Sequence, residues 1–219
     1  GTHLVPPAYA LPGPGFKNKK YSPEVRQWLR EYEVRFGKRG TSRTTAEKVP
    51  LAQTSGNARV IDVRPLIGTA EGSQWPASPV ITTAHIEAYE KKTGKLAPGD
   101  VVLFRTGHVD THFKPLPEGK ACMENPINGL SEGWPAPDAE AIHHLAKRGI
   151  RCVGTDAPTL GGVDPKQALF TYWMLGTQGM VGVEFLTGLG QLPAKAVFLF
   201  APVKIKGCHG GPGRAIALY

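Results

Sequence analysis

The sequence predicts an α/β protein, a mixed β-sheet with helices laid against it. Two patterns carry this. Short apolar runs rich in β-branched residues recur along the chain, and longer segments with helical periodicity and start and stop signals lie between them. The balance agrees: 219 residues, 41% hydrophobic and 20% charged, suit one substantial globular domain. Residues 1–219 are read as that single domain, with 22–58 as a helix-containing insertion.

Residues 1–21, rich in Pro, Gly and Lys, read as extended loop. The stretch 22–37 predicts a helix. Ser22 can cap it, Pro23 suits its first position, Val25, Trp28, Leu29, Tyr32 and Phe36 form one apolar stripe, and Gly37 stops it. Residues 41–58 read as loop. Then strand and helix alternate: strand 59–63, helix 82–94, strand 100–107, helix 137–149, strand 150–157 and helix 164–175. The helix at 137–149 starts with acids and ends with bases, matching its dipole. Strands at 180–186, 196–205 and 214–219 complete the order. The segment 107–136 shows no regular element, and so long an irregular stretch is either functional or a surface excursion.

Charge and cysteines bound the function. The net charge is +8, with basic clusters at 17–20 and 35–43. No nucleic-acid fold signature accompanies them, so nucleic acid is not the expected partner; a docking site for acidic partners is a further reading, one that predicts association weakened by salt. No run of 18 apolar residues exists, so no membrane span is expected. Cys122, Cys152 and Cys208 form no CxxC pair and are odd in number, which argues against a disulfide framework and leans towards a reducing interior.

Several side chains are equipped for chemistry. His3 follows Gly1 and Thr2. His108, Asp110 and His112 fall within five residues, and an extended backbone would turn all three to one face, where they could ligate a metal. Glu184 lies inside an apolar run, where a carboxylate must be paired, metal-bound, protonated or at an edge in solvent. The loop 206–215 brings Cys208 and His209, both competent metal ligands, among glycines that permit close approach of a ligand. Asp156 ends a strand, a common place for site residues and for turn caps alike. His85, His143 and His144 sit on helices and read as surface or partly buried.

Taken together, "RVIDV", "PGDVVLFRTG", "AIHHLAKRGIRCVGTDAPT", "GMVGVEFLTGLGQLP" and "GPGRAIAL" resemble, in order and spacing, the cyclase family of metal-dependent hydrolases, which includes kynurenine formamidases and isatin hydrolases. The opening residues resemble its signature, His-x-Gly-Thr-His-x-Asp-x-Pro-x-His. Gly1, Thr2, His3 and Pro7 match it; Val5 stands at the aspartate and Tyr9 at the last histidine. Glu184 matches the family's glutamate, and Tyr172 stands where a histidine precedes it. The resemblance implies a swivelling β/β/α fold, an oligomer, and hydrolysis of an amide, lactone or formamide bond in a small cyclic or aromatic substrate. It implies a divalent metal, zinc or alternatively manganese, on an altered site of His3, Glu184, His209 and Cys208. Tyr9 and Tyr172 would donate hydrogen bonds to a developing oxyanion, and Val5, His108 and Asp156 would line the substrate wall. Loss of the metal, leaving a non-catalytic protein that binds a small ligand or a protein, is the alternative. Because Gly1 falls inside the signature, the chain is also expected to be a processed fragment, its N-terminal companion bound as a second chain.

Overall fold

The computed structural model describes residues 1–219. In chain order the elements are β1 (His3–Val5), α1 (Pro7–Ala10), α2 (Pro23–Phe36), β2 (Ser55–Asp62), β3 (Val80–Ile81), α3 (Thr83–Thr93), β4 (Val101–Arg105), α4 (His108–His112), α5 (Glu124–Ile127), β5 (Ala136–Pro137), α6 (Ala139–Lys147), β6 (Cys152–Thr155), α7 (Pro165–Thr177), β7 (Val181–Glu184), β8 (Lys195–Pro202) and β9 (Gly211–Leu218). Seven strands close a barrel in the order β1-β7-β6-β4-β2-β8-β9, and β3 pairs with β5 in a separate two-stranded sheet. β2, β4, β6 and β7 run parallel, while β8, β9 and β1 pair antiparallel, so the expected mixed α/β architecture is the one observed.

Strand alternation sorts the apolar residues into two cores. Leu4, Val60, Val101, Leu103, Val181, Val183, Phe198 and Phe200 fill the barrel. Their neighbours Val5, Ile61, Val102, Phe104 and Val153 point outward and pack beneath the helices, against Ile142, Leu145, Trp173 and Met174. α2 joins this second core through Leu29 and Tyr32. Helix starts follow the sequence signals: Ser22 Oγ accepts from Val25 N, Asp138 from Ala141 N and Asp164 from Gln167 N.

Three readings need correction. Residues 1–21 are not all loop: β1 and α1 lie there. β1 has only three residues and no alternating run to betray it; it exists because β7 and β9 bond to it on either side. Residues 41–58 hold two short 3-10 turns, 46–48 and 51–53, and the start of β2. Residues 107–136 contain α4, α5 and β5, and 108–112 is helical rather than extended. Gly107 takes a left-handed conformation (φ 71°), and Thr111 Oγ1 bonds back to its carbonyl. A helix places His108 and His112 on one face, their rings 4.8 Å apart, while Asp110 turns away to accept from Gly188 N. The expected metal trio is therefore split.

Candidate functional site

Register assembles the site. β1 pairs with β7 so that His3 lies opposite Glu184 and Val5 opposite Gly182. By alternation these residues share the outer, helix-side face of the barrel. Glu184 is buried, and a buried carboxylate needs partners. It has three: Oε1 accepts from the Leu160 amide at 2.7 Å and from the Tyr172 hydroxyl at 2.5 Å, and Oε2 meets His3 Nε2 at 3.3 Å. Tyr172 comes from the C-terminal half of α7. Gly161 lets it approach, since a Cβ there would stand 2.8 Å from the Tyr172 ring.

His3 is the group with access to solvent, its side chain one-third exposed. Its Nδ1 lies 3.0 Å from the Gly1 carbonyl, so both ring nitrogens face acceptors. The hydrogen bond to Glu184 raises its pKa and favours the imidazolium. Burial, then the nearby Glu184 charge, hold the Tyr172 phenol neutral, well above its ordinary pKa. Tyr9, half-exposed, stands edge-on to Tyr172 with ring centroids 5.2 Å apart, and burial raises its pKa too. Tyr9 also lines a cleft of about 650 Å³ that His209 borders.

The other candidates make contacts of their own. Val5 is packed in the helix-side core. Cys208 is half-buried against the barrel core, and its carbonyl accepts from Ala46 N. His108 is buried edge-on to Trp134, its Nε2 donating to the Cys122 carbonyl at 2.8 Å. That bond suits the neutral ring, and burial pushes its pKa down to about 4. Asp156 is buried and accepts from the Thr106 amide and hydroxyl and the Gly107 amide, tying the end of β6 to the turn after β4. Burial raises its pKa.

Two contributors escaped sequence reasoning. The Leu160 amide carries no side-chain signal at all. Phe185, next to Glu184, takes φ 61°, a left-handed conformation that costs a bulky residue roughly 1–3 kcal/mol. It is held by the Thr2 hydroxyl on its carbonyl, by its amide on Ala157 and by Phe113 edge-on to its ring. These contacts anchor the strand end that presents Glu184.

Comparison with known proteins gives these groups a context. The family model described as "Putative cyclase" matches residues 1–161. Isatin hydrolase of Roseibium aggregatum is 32% identical over 145 residues, covering 64% of this chain and 52% of that protein. Kynurenine formamidase of Salinibacter ruber is 27% identical over 176 residues, covering 78% and 66%. The chain thus spans about half to two thirds of the length of these relatives. Among solved structures, isatin hydrolase A from Labrenzia aggregata bound to benzyl benzoate superposes with a TM-score of 0.67 at 24% identity, covering 100% of this chain and 72% of that one. A structure described as a potential metal-dependent hydrolase with cyclase activity gives 0.59 at 19%, covering 99% and 77%.

Such neighbours imply a metal, and the donors in this chain can be tested against one. A zinc site uses three or four deprotonated N, O or S ligands. No three His, Cys, Asp or Glu side chains of this chain come together. Glu184 and His3 are spent on each other, Val5 offers no donor, and Tyr9 and Tyr172 are neutral phenols. These residues do not fit a metal. Added zinc or manganese is expected to leave the thermal unfolding midpoint in place. A metal bound at a hundred times its Kd would add about 2.7 kcal/mol, roughly 5–10 °C for a chain this size, and such a rise would refute the misfit.

Proposed function

The chain belongs to the cyclase family, and from that membership we propose that it hydrolyses an amide, formamide or lactone bond in a small cyclic or aromatic molecule. The reading treats 1–219 as one domain, with 22–58 as its insertion. The observation that carries it is the His3–Glu184 contact: a solvent-reaching imidazole backed by a buried carboxylate, joined through Tyr172 to Tyr9, which lines a cleft sized for a small ligand. A histidine oriented by a carboxylate is the usual arrangement for moving protons in acyl transfer. Here the carboxylate holds the imidazolium, which can hand a proton to the departing nitrogen or oxygen as water adds to the carbonyl carbon, the neutral ring then taking up the proton that water gives up. Tyr9, half-exposed and neutral, would donate to the developing oxyanion. Tyr172 and the Leu160 amide position Glu184. The relatives' printed activities, on isatin and on kynurenine formamides, support the bond class.

The test is turnover of formanilide, isatin and an aromatic lactone by the purified chain. At least one is expected to be hydrolysed, with His3→Ala lowering kcat/KM about 10²–10⁴-fold. Failure with all three carbonyl classes overturns the reading. One observation favours a second reading, a ligand-binding protein without turnover: both Glu184 oxygens are already engaged. It predicts saturable ligand binding and no product.

A further inference from the structure

Beside the His3 cluster, the cleft lined by Tyr9 has a composition of its own. Three chain segments build its wall and are laced by backbone hydrogen bonds: Ala8 N to the Thr44 carbonyl, Ser42 N to the Pro12 carbonyl, and Ala46 N to the Cys208 carbonyl. The wall is therefore set before any ligand arrives. Its apolar part is Tyr9, Leu11 and Phe16. Its charged part is Arg43, Lys48 and Lys206, with one carboxylate, Glu47. None of the three cations is paired with a carboxylate; the ion pairs of the chain lie elsewhere. Glu47 is bound to the Thr45 hydroxyl at 2.8 Å, which holds its carboxyl ionised and below its ordinary pKa. Lys48 spans to the Arg43 carbonyl. That leaves Arg43 and Lys206 as cations with no carboxylate partner on two adjoining segments of one cleft, which Tyr9 and Phe16 also line.

We propose that this cleft binds a small planar molecule bearing a carboxylate, its ring against Tyr9 and Phe16 and its charge against Arg43 and Lys206. The dimensions admit such a molecule: a cleft of about 650 Å³ is within the range of small-molecule sites. The apolar wall demands a ring, and the unpaired cations reward a charge that a neutral ring lacks. The proposal names the ligand class of the cleft and so rests on the reading that substrate enters here. Its test reads binding, not turnover, and so separates the two.

The experiment is titration of the purified chain with benzoate and with benzamide, its neutral isostere, followed by calorimetry. Benzoate is expected to bind at least about tenfold more tightly than benzamide, the difference made by one charge-assisted contact. Its affinity should fall as salt rises. The double variant Arg43→Ala/Lys206→Ala should lose about tenfold or more for benzoate and little for benzamide, while Lys195→Ala, an exposed lysine on β8, should change neither. His3→Ala should keep benzoate affinity even where it abolishes hydrolysis. Equal affinity for the two ligands, no saturable binding of benzoate, or a double variant that binds benzoate unchanged would each overturn the proposal.

Discussion

Glu184→Ala should cost about 3–5 kcal/mol of stability and remove any turnover with it. The substitution strands the Leu160 amide, the Tyr172 hydroxyl and the His3 ring at once. Two of these are buried, and a buried donor without an acceptor loses its full solvation, about 1–3 kcal/mol each. Glu184→Gln makes a graded comparison. Its amide oxygen can still accept from Leu160 and Tyr172, but the charge that holds the imidazolium is gone. It should fold with a penalty of about 1–2 kcal/mol and lose the His3 function. Urea midpoints at fixed pH measure both, and an alanine variant as stable as the parent would show that Glu184 is not the hub of the cluster.

Acid should weaken the fold through His108. Its ring is buried and donates to the Cys122 carbonyl, and its pKa falls to about 4 from an ordinary 6.5. Between those values the unfolded chain binds a proton that the folded chain refuses. Stability therefore rises with pH across this window and is lost as pH falls through it. The full difference amounts to about 3 kcal/mol. His108→Gln keeps a donor for Cys122 without the titration. The stability difference between pH 7 and pH 4.5 should be smaller in that variant by about 2–3 kcal/mol. Equal slopes for parent and variant would remove His108 from the acid response.

The longer helices announced themselves because their ends carry chemistry, whereas α1, α4 and α5 have no side-chain cap to mark them. Ser22, Asp138 and Asp164 cap where capping residues stand in the sequence, and Gly37 ends α2 in the left-handed region. The buried strands were legible from their apolar runs. β1 was not, because three residues beside prolines hold no period; its pairing partners come from the far end of the chain. The helix at 108–112 leaves no mark in the sequence for a similar reason, since the turn at Gly107 decides the conformation and a glycine alone does not say which way it turns.

The site was legible in part. A carboxylate in an apolar run and a histidine in a signature-like opening both drew attention as candidates, and register sets them 3.3 Å apart. That Val5 packs beneath the helices follows from the same alternation, because its partner Gly182 leaves room that Leu160 fills. The amide of Leu160 and the strained Phe185 have no side-chain signature to find.

β1 closes the ring of strands and carries His3 within the same three residues. Whatever grips that imidazole also grips the seam of the barrel. Occupancy and closure are consequently two readings of one equilibrium: a molecule that engages His3 should slow hydrogen exchange at the β1 amides, and a change that frays the seam should weaken the ligand by the same factor.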